Sequence, residues 1–263
     1  MTVTLRITDS AGQTRAENCA GSEVALVYDA DYAEGDCVAI SAPEGSWLWL
    51  SLDDAMAPAL VWLKGGSYSL PVPFGPRCKT YSPRAFTGKL HRLQARLART
   101  EEIALRRDLA HNPYDDHTNT TLFPHASANV ETRGEAVFAA RNAIDGEIAN
   151  DDHGFWPYTS WGIAQDPKAA LTLDFGRPVL VDEIALTLRA DFPHDAWWDA
   201  AHVTFGPDDT ERLTLSKSAT RQTFAITPRQ ITSLTLHDLI KADDPSPFPA
   251  LTRIEVMGTD AHV

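Results

Sequence analysis

Residues 171–186 read LTLDFGRPVLVDEIAL, and their pattern predicts the fold class. Its first five residues alternate between apolar and polar, and a similar pattern returns over residues 183–188. Such alternation is typical of a strand that has one buried face and one exposed face. Gly176 ends the first run. The stretch therefore predicts two consecutive strands, and the side chains of Ile184, Leu186 and Leu188 are expected to face the interior of a sheet.

Short segments of the same kind recur along the whole chain. They include residues 3–7, 47–52, 59–63, 202–205, 222–226 and 252–256. Turn-forming pairs such as Gly65–Gly66 and Gly75–Pro76 lie between them, and such pairs favour the dihedral angles of turns. Many short strands divided by turns predict an all-β sandwich or barrel, and they disfavour a fold of alternating strands and helices.

The length of the chain, 263 residues, is sufficient for one or two domains. One segment, residues 94–110, has apolar residues at helical spacing, and it fits the last strand of a first domain followed by a short helical linker. We therefore predict two β-sandwich domains of the jelly-roll type. Residues 1–100 form a first domain of unassigned role, and residues 101–263 form the second.

The charge of the chain argues against two classes of partner. The 36 acidic residues outnumber the 23 basic ones, which gives a formal net charge of -13. A surface this acidic repels phosphate backbones and anionic lipid headgroups. We therefore expect neither a nucleic acid nor a membrane as a partner.

The N-terminus and the cysteines indicate a cytoplasmic protein. The first residues, MTVTLRITDS, lack the basic and apolar regions of a secretory signal. The cysteines, Cys19, Cys37 and Cys78, are odd in number and lack the spacing of metal ligands, which is typical of reduced thiols. The alternative is one disulfide with one free thiol.

Six short motifs follow one another in the second half of the chain. From residue 108 onward they read DLAHNPYD, FPHASAN, ARNAIDG, YTSWG, LTLDFGRPVLVDEIAL and LTRIEVMG. In this order they resemble the motifs of discoidin, or coagulation-factor type C, domains and of their bacterial carbohydrate-binding relatives. The resemblance covers residues 107–258 and implies a galactose-binding-domain-like β-sandwich. It also implies that loops at one end of this sandwich hold a carbohydrate.

The same resemblance implies a structural calcium ion beside the turn at Asp145 and Gly146. Its ligands would be the carboxylates of Asp145 and Glu255, together with backbone carbonyls near Asn142 and Ser160. Calcium binds such combinations of carboxylate and carbonyl oxygens. The alternative is that Asp145 only caps its turn and that Glu255 is a solvated strand residue.

Aromatic, histidine and acidic residues concentrate in four predicted loops. A sugar site needs an aromatic surface for the apolar face of the pyranose ring and polar groups for the hydroxyls. The predicted ligand-binding residues are His153, Trp156, Tyr158, Arg189, Asp191, His194, Trp198, Asp243 and Asp244. Trp198 adjoins Trp197, and on a strand only one of these two side chains can face the core.

The function predicted from these features is that of a non-catalytic carbohydrate-binding protein of a bacterial cytoplasm. It would bind a mono- or oligosaccharide through the loops of the C-terminal sandwich, as a homo-oligomer or beside a partner enzyme. We expect a binding protein rather than an enzyme, because the chain contains no H-E-x-x-H, G-x-S-x-G or phosphate-loop motif.

Two other functions remain open at the level of sequence. The histidines and aspartates of the loops are also the residues that a sugar-active enzyme of the glycoside hydrolase or lyase type would use. In a metal-dependent version, His117, His125 and His153 would hold a transition metal. The second alternative is a structural or oligomerisation protein with an interface at Trp197 and Trp198.

Overall fold

The computed structural model describes residues 2–149, 155–190 and 196–261, and most of its regular structure consists of β-strands. The first eight strands are β1 (Val3–Thr8), β2 (Thr14–Ala20), β3 (Glu23–Tyr28), β4 (Cys37–Ser41), β5 (Ser46–Ser51), β6 (Ala59–Leu63), β7 (Ser67–Pro71) and β8 (His91–Leu97). The others are β9 (Arg107–Asp108), β10 (Leu122–Phe123), β11 (His125–Ala128), β12 (Trp161–Gly162), β13 (Leu171–Leu188), β14 (Trp198–Gly206), β15 (Asp209–Thr214), β16 (Gln222–Lys241) and β17 (Ala250–Asp260). The predicted all-β class is confirmed.

Helical structure is confined to short segments. The α-helix α1 spans Thr100–Ala104, and 3-10 helices span Gly75–Thr80, Thr132–Gly134, Ala136–Phe138 and Ala140–Ile144. In the part of the chain that the structure describes, no helix has the length and apolar character to cross a membrane. The segment 94–110, predicted as a last strand followed by a helical linker, consists of the end of β8, the single turn of α1 and strand β9. The carboxylate of Glu102 accepts the Arg99 backbone N–H at 2.8 Å, which caps the start of α1.

The first sandwich consists of two sheets that enclose one core. Their strand orders are β2-β1-β4-β7 and β10-β6-β5-β8-β3. Alternation decides which side chains face inward: Leu48 and Leu50 of β5 are buried in the core, whereas Trp47 and Trp49 lie on the opposite face. The outer face of the five-stranded sheet is thus rich in tryptophan.

The second sandwich is formed by one eight-stranded sheet. Its main order is β12-β17-β13-β16-β14-β15, with β11 paired to β13 and β9 paired to β17. Strand β13 spans the whole stretch Leu171–Leu188, so the prediction of two separate strands is wrong. Gly176, at φ 67°, bends the strand without ending it, and β16 pairs with both halves across a register shift between Asp174 and Val179. As predicted, Ile184, Leu186 and Leu188 are buried in the core.

Strands β13 and β17 approach each other so closely that one position requires glycine. A Cβ atom on Gly258 would lie 2.1 Å from the carbonyl oxygen of Leu180. The lack of space for a Cβ atom therefore explains why the motif LTRIEVMG ends in glycine.

The segment that follows α1 contributes to both cores. Strand β10 adds to the edge of the first sandwich, where Leu122 pairs with Leu63 of β6. Tyr114 is also buried in the first core, and its hydroxyl donates a hydrogen bond to the carbonyl of Ala57 at 2.8 Å. Leu109, by contrast, belongs to the second core. The division predicted at residues 100 and 101 remains a prediction.

A buried charge cluster lies where the sandwiches meet. The carboxylate of Asp260, at the end of β17, accepts hydrogen bonds from the guanidinium groups of Arg107 and Arg177. The side chains of Asp260 and Arg177 are almost wholly buried. The Arg177 guanidinium also lies 5.9 Å from the ring centres of Trp47 and Trp62 on the first sandwich. The cluster thus links the C-terminal strand to the tryptophan-rich face.

Candidate functional site

A concave pocket opens among the loops of the second sandwich, and we call it the loop pocket. It lies between the 3-10 segments near residues 132–138, the chain around β12, the end of β13 and the start of β17. Its lining residues are Thr132, Arg133, Phe138, Tyr158, Ser160, Gly162, Ile163, Ala164, Gln165, Arg189, Phe248, Pro249 and Ala250. The scaffold strands hold the pocket, and the loops supply most of its side chains.

Aromatic side chains form much of the apolar wall. Phe138 and Tyr158 are buried, whereas Phe248 is 48% exposed although it is a large apolar residue. Pro249 follows Phe248 directly, is buried and immediately precedes β17, which restricts the backbone next to the exposed ring. An exposed phenylalanine at the mouth of a pocket is suited to contact the apolar face of a ligand.

The guanidinium of Arg189 lies at the floor of the pocket. The side chain is only 2% exposed and stacks on the ring of Tyr158. Its backbone N–H donates a hydrogen bond to the carbonyl of Ala250 at 3.0 Å, which ties the end of β13 to β17. Tyr158 and Arg189, both predicted from the sequence, are therefore brought together in one pocket.

Arg133 adds a second guanidinium at the rim. It is exposed, lies 5.7 Å from the ring centre of Phe138 and pairs with the carboxylate of Glu135 at 2.8 Å. Its backbone is in the left-handed region, at φ 55°. Each guanidinium is a permanent donor of hydrogen bonds, so Arg133 and Arg189 suit a ligand rich in oxygen acceptors.

The chain around β12 is packed closely against the rim. A Cβ atom on Gly162 would lie 2.7 Å from the hydroxyl of Thr132, and that hydroxyl accepts the backbone N–H of Ala164 at 2.9 Å. Ala164 and Gln165 are in the left-handed region, at φ 50° and φ 60°. Non-glycine residues held there carry strain of about 1–3 kcal/mol, which is common at ligand sites.

The size of the loop pocket suits one sugar ring. Its volume is about 130 Å³. A cavity of about 150 Å³ accommodates one benzene ring, so a pocket of this volume, open to solvent, has room for one six-membered ring.

Other predicted ligand-binding residues lie elsewhere. Trp156 lines a separate cleft between the sandwiches, and its backbone N–H donates to the carbonyl of Lys79 at 2.8 Å. Asp243 is exposed, and the carboxylate of Asp244 pairs with Lys217 at 3.2 Å; neither lines the loop pocket. The sequence pattern could not place these residues, because it does not show toward which side of the sandwich end a loop folds.

Three predicted ligand-binding residues lie outside the described part of the chain. They are His153, Asp191 and His194.

Trp198, also predicted to contact ligand, is 0% exposed and belongs to the core of the second sandwich. It also lines a cleft beside the loop pocket, so its contact with a ligand stays a prediction. Trp197 is only partly buried and packs against the same core. The strand rule that one of two adjacent tryptophans faces inward holds, and Trp198 is that residue.

Arg133, Gln165 and Phe248 line the pocket but were not among the predicted ligand-binding residues. Phe248 was detectable in principle, because it ends a loop just before a strand and has prolines on both sides. Arg133 and Gln165 carry no motif, and their placement depends on left-handed backbone angles that only the folded chain shows.

The residues predicted to hold calcium do not fit that ion as the structure arranges them. The carboxylate of Glu255 accepts a hydrogen bond from Arg221 at 2.8 Å and lies 3.7 Å from the guanidinium of Arg253. Arg253 also donates to the carbonyl of Gly146 at 3.3 Å. These guanidinium groups already supply the positive charge at the carboxylate, and they would repel a divalent cation.

The other residues of the predicted ion site, Asp145, Asn142 and Ser160, lie close to the guanidinium of Arg141. This buried guanidinium donates to the carbonyls of Asp115 and Pro113, each at 2.8 Å, and to the side-chain oxygen of Asn142 at 3.2 Å. The Asn142 amide donates in turn to the carbonyl of Ser160 at 3.3 Å. Burial raises the pKa of Asp145 to about 6, although Arg141 acts to lower it. The Asp145 carboxylate accepts the Glu147 backbone N–H at 2.8 Å, as a turn cap does, and the Ser160 carbonyl is engaged by Asn142.

The histidines of the enzyme alternative form separate pairs. The ring Nδ1 of His125 lies 2.8 Å from the carboxylate of Asp115, whose second oxygen accepts the Ala126 backbone N–H. His117 pairs with Glu131 at 2.8 Å on the surface. Within residues 2–149, 155–190 and 196–261, no group of three or more histidine, cysteine or acidic side chains is arranged to hold a metal ion. His153, the third histidine of that alternative, lies outside the described residues.

These pairs predict a dependence of stability on pH. The hydrogen bond with Glu131 raises the pKa of His117. Burial acts to lower the pKa of His125, but the bond to Asp115 and its charge outweigh burial and the net shift is upward. A raised histidine pKa stabilises the fold below the unfolded value of about 6.5, and this contribution is lost as the pH rises through the folded pKa. We therefore expect the contribution of these two pairs to the unfolding temperature, measured by calorimetry, to fall as the pH rises from about 6 to 8. Burial lowers the pKa of His111, which acts in the opposite direction, so the contribution of the pairs is read from the difference between the wild type and variants.

The variant His117→Gln tests the same prediction. Its unfolding temperature is expected to fall less steeply over this pH range, because one of the two titrating pairs is absent. Glu131→Gln removes the partner and is expected to flatten the curve in the same way. A slope identical in the wild type and both variants would contradict the assignment.

Several solved structures are similar to part of the chain. Chitosan-binding module 1 of a chitosanase/glucanase from Paenibacillus sp. IK-5 is 19% identical, with a TM-score of 0.37, and the match covers 57% of this chain and 98% of that one. The family 32 carbohydrate-binding module of NanJ from C. perfringens, solved with galactose, is 15% identical, with a TM-score of 0.41, over 58% of this chain and 99% of that one. The lectin domain of lectinolysin, solved with Lewis B antigen, is 15% identical, with a TM-score of 0.42, over 58% and 96%. All three are named as carbohydrate-binding modules or lectin domains.

No family model and no curated protein matches this chain.

Proposed function

We propose that the protein binds carbohydrate without reacting with it, and that one sugar ring occupies the loop pocket. The observation that carries the proposal is the juxtaposition of an exposed aromatic ring, Phe248, with the guanidinium groups of Arg133 and Arg189 in a pocket of hexose size. The apolar face of a pyranose ring would pack on Phe248. Its hydroxyl oxygens would accept hydrogen bonds from the arginines.

The chemistry of these groups supports binding rather than catalysis. A guanidinium stays protonated throughout the physiological pH range, so Arg133 and Arg189 can donate hydrogen bonds but cannot exchange protons with a substrate. Tyr158 is buried and stacked on Arg189, which favours a positioning role for its ring. In the proposed function, the protein therefore binds the sugar and leaves its covalent bonds intact.

The compartment is part of the proposal. We propose a bacterial cytoplasm, where the bound sugar could be passed to a partner enzyme. Cys19, Cys37 and Cys78 are all free thiols, which supports a reducing compartment.

The test is a binding titration followed by NMR, with galactose, fucose, N-acetylglucosamine and glucuronic acid as probes. We expect at least one of them to bind to the wild type, and Phe248→Ala to weaken that binding by about tenfold, equivalent to about 1.4 kcal/mol of lost stacking. Arg133→Ala is expected to weaken it as well. After long incubation with the protein, the NMR spectrum should show no signals of a reaction product of the sugar.

The matched control is Phe155→Ala. Phe155 is 50% exposed, close to the 48% of Phe248, but its side chain does not line the loop pocket, and its ring centre lies 4.8 Å from the ammonium group of Lys79. This variant should bind as the wild type does. Failure of all four sugars to bind, equal losses in the two phenylalanine variants, or conversion of the sugar would each contradict the proposal.

A further inference from the structure

A second depression lies beside the loop pocket, and we call it the side cleft. Its lining residues are Ile163, Gln165, Asp166, Pro167, Trp198, Asp238, Leu239, Ile240, Lys241, Pro247 and Pro249. Three of them, Ile163, Gln165 and Pro249, also line the loop pocket. The two depressions therefore share one wall and are neighbours on the same surface.

We infer that the loop pocket and the side cleft together form a binding groove for an oligosaccharide of at least two units. One unit occupies the loop pocket and the next lies in the side cleft, across Gln165 and Pro249. The inference rests on the proposed function, since it assigns the size class of the carbohydrate that the same site binds.

The shared wall is suited to contact two neighbouring sugars. Gln165 is exposed, and its amide offers a donor and an acceptor, so it can bond to hydroxyls on both sides. Its backbone is held at φ 60°, directly after Ala164 at φ 50°. Two successive residues in this region present the side chain in a fixed direction at a conformational cost, and such strain is common where a ligand is contacted.

The side cleft combines apolar surface with polar groups, as a sugar site requires. Ile240 is 45% exposed, and Pro167 and Pro247 add rigid apolar surface beside it. Asp166 and Asp238 bring carboxylates, which accept hydrogen bonds from sugar hydroxyls. The mixture favours a chain of sugar rings, each with an apolar face and polar edges, over a purely apolar ligand.

The relative size of the depressions supports more than one unit. The side cleft has a volume of about 590 Å³, against about 130 Å³ for the loop pocket. The loop pocket has the size of one ring, so a ligand that filled only this pocket would leave the larger cleft to solvent.

The experiment compares chain lengths. Each monosaccharide of the NMR panel is titrated beside its own disaccharide and trisaccharide, and the ratio of the dissociation constants of monosaccharide and trisaccharide is measured. For the wild type we expect a ratio of about ten or more, equivalent to about 1.4 kcal/mol of added contact. In Ile240→Ser and in Gln165→Ala the ratio is expected to fall toward one.

The matched control is Leu180→Ser. Leu180 is an aliphatic residue on β13 that is 43% exposed, close to the 45% of Ile240, and it does not line either depression. Its ratio should equal that of the wild type.

The outcomes separate the two proposals. If a monosaccharide binds and longer chains bind no better, the groove is refuted while the proposed function stands. If longer chains bind better but Ile240→Ser and Gln165→Ala keep the wild-type ratio, the added units lie elsewhere and the groove is also refuted. If no sugar of any length binds, the proposed function fails and the groove fails with it.

Discussion

Replacing Asp260 with alanine is expected to lower the free energy of unfolding by about 3–5 kcal/mol, since removal of one partner leaves buried charges uncompensated. Two guanidinium groups, those of Arg107 and Arg177, point at this carboxylate. Arg177 is itself buried between Asp260 and the tryptophans of the first sandwich. Without the carboxylate, both cations would stay close together in a region of low dielectric constant.

The expected loss can be measured by chemical denaturation at neutral pH. The matched control is Asp182→Ala, which removes the carboxylate that pairs with Arg106 at 2.7 Å. Both of those side chains are substantially exposed, so the control should cost no more than about 1 kcal/mol. Equal losses in the two variants would show that the Asp260 cluster is not a buried linkage.

Arg141→Met is the second substitution with a large expected effect. It removes three hydrogen bonds and leaves the carbonyls of Pro113 and Asp115 buried without these donors. It also removes the cation that faces Asp145 and lies 4.8 Å from the ring centre of Tyr81. We expect a loss of about 3–5 kcal/mol in the free energy of unfolding, because a buried network is broken on one side.

The effect of calcium on the unfolding temperature tests the same region independently. A ligand that binds the folded chain raises its unfolding temperature. We expect millimolar calcium, compared with a chelator, to leave the unfolding temperature of the wild type unchanged, since Arg141 and Arg253 already supply positive charge there. Clear stabilisation by calcium would overturn this account of the site.

The control for Arg141→Met is Arg212→Met, at an exposed arginine of β15, which should leave the free energy of unfolding nearly unchanged.

The sequence was informative about strands because alternation is a local signal. The segments 3–7, 47–52 and 59–63 correspond to β1, β5 and β6, with bounds that differ by no more than one residue. It was misleading at Gly176, because a glycine that ends a strand and one that bends it look the same in a sequence. Only the pairing of both halves of β13 with β16 distinguishes the two.

The candidate site was predictable in part. Tyr158 and Arg189 lie in loops with a composition suited to sugars, and the structure places them in contact. Phe248 and Arg133 join them through the close packing of loops that are far apart in the chain. A sequence does not encode that proximity in any short pattern, so it could not show that these residues share one pocket.

The motifs behind the calcium prediction specify the proposed ligands but not the charged residues around them. The turn at Asp145 and the closing-strand Glu255 match the resembled motifs in order. The arginines that surround them lie at positions to which the motifs give no weight, and charge at those positions decides whether a cation is accepted. The calcium ion therefore stays a prediction of the motifs, and the titration with calcium tests it.

The pairing of β10 with β6 limits how this protein can be rearranged in evolution. A gene segment that encodes residues 101–263 carries with it an edge strand and a core tyrosine, Tyr114, of the neighbouring sandwich. Moved into another protein, it would expose Tyr114 and Leu122 to water, and the half left behind would have an unfilled core and an open sheet edge. The halves are therefore expected to be inherited together, and recombination that exchanged one of them as a free cassette would be selected against.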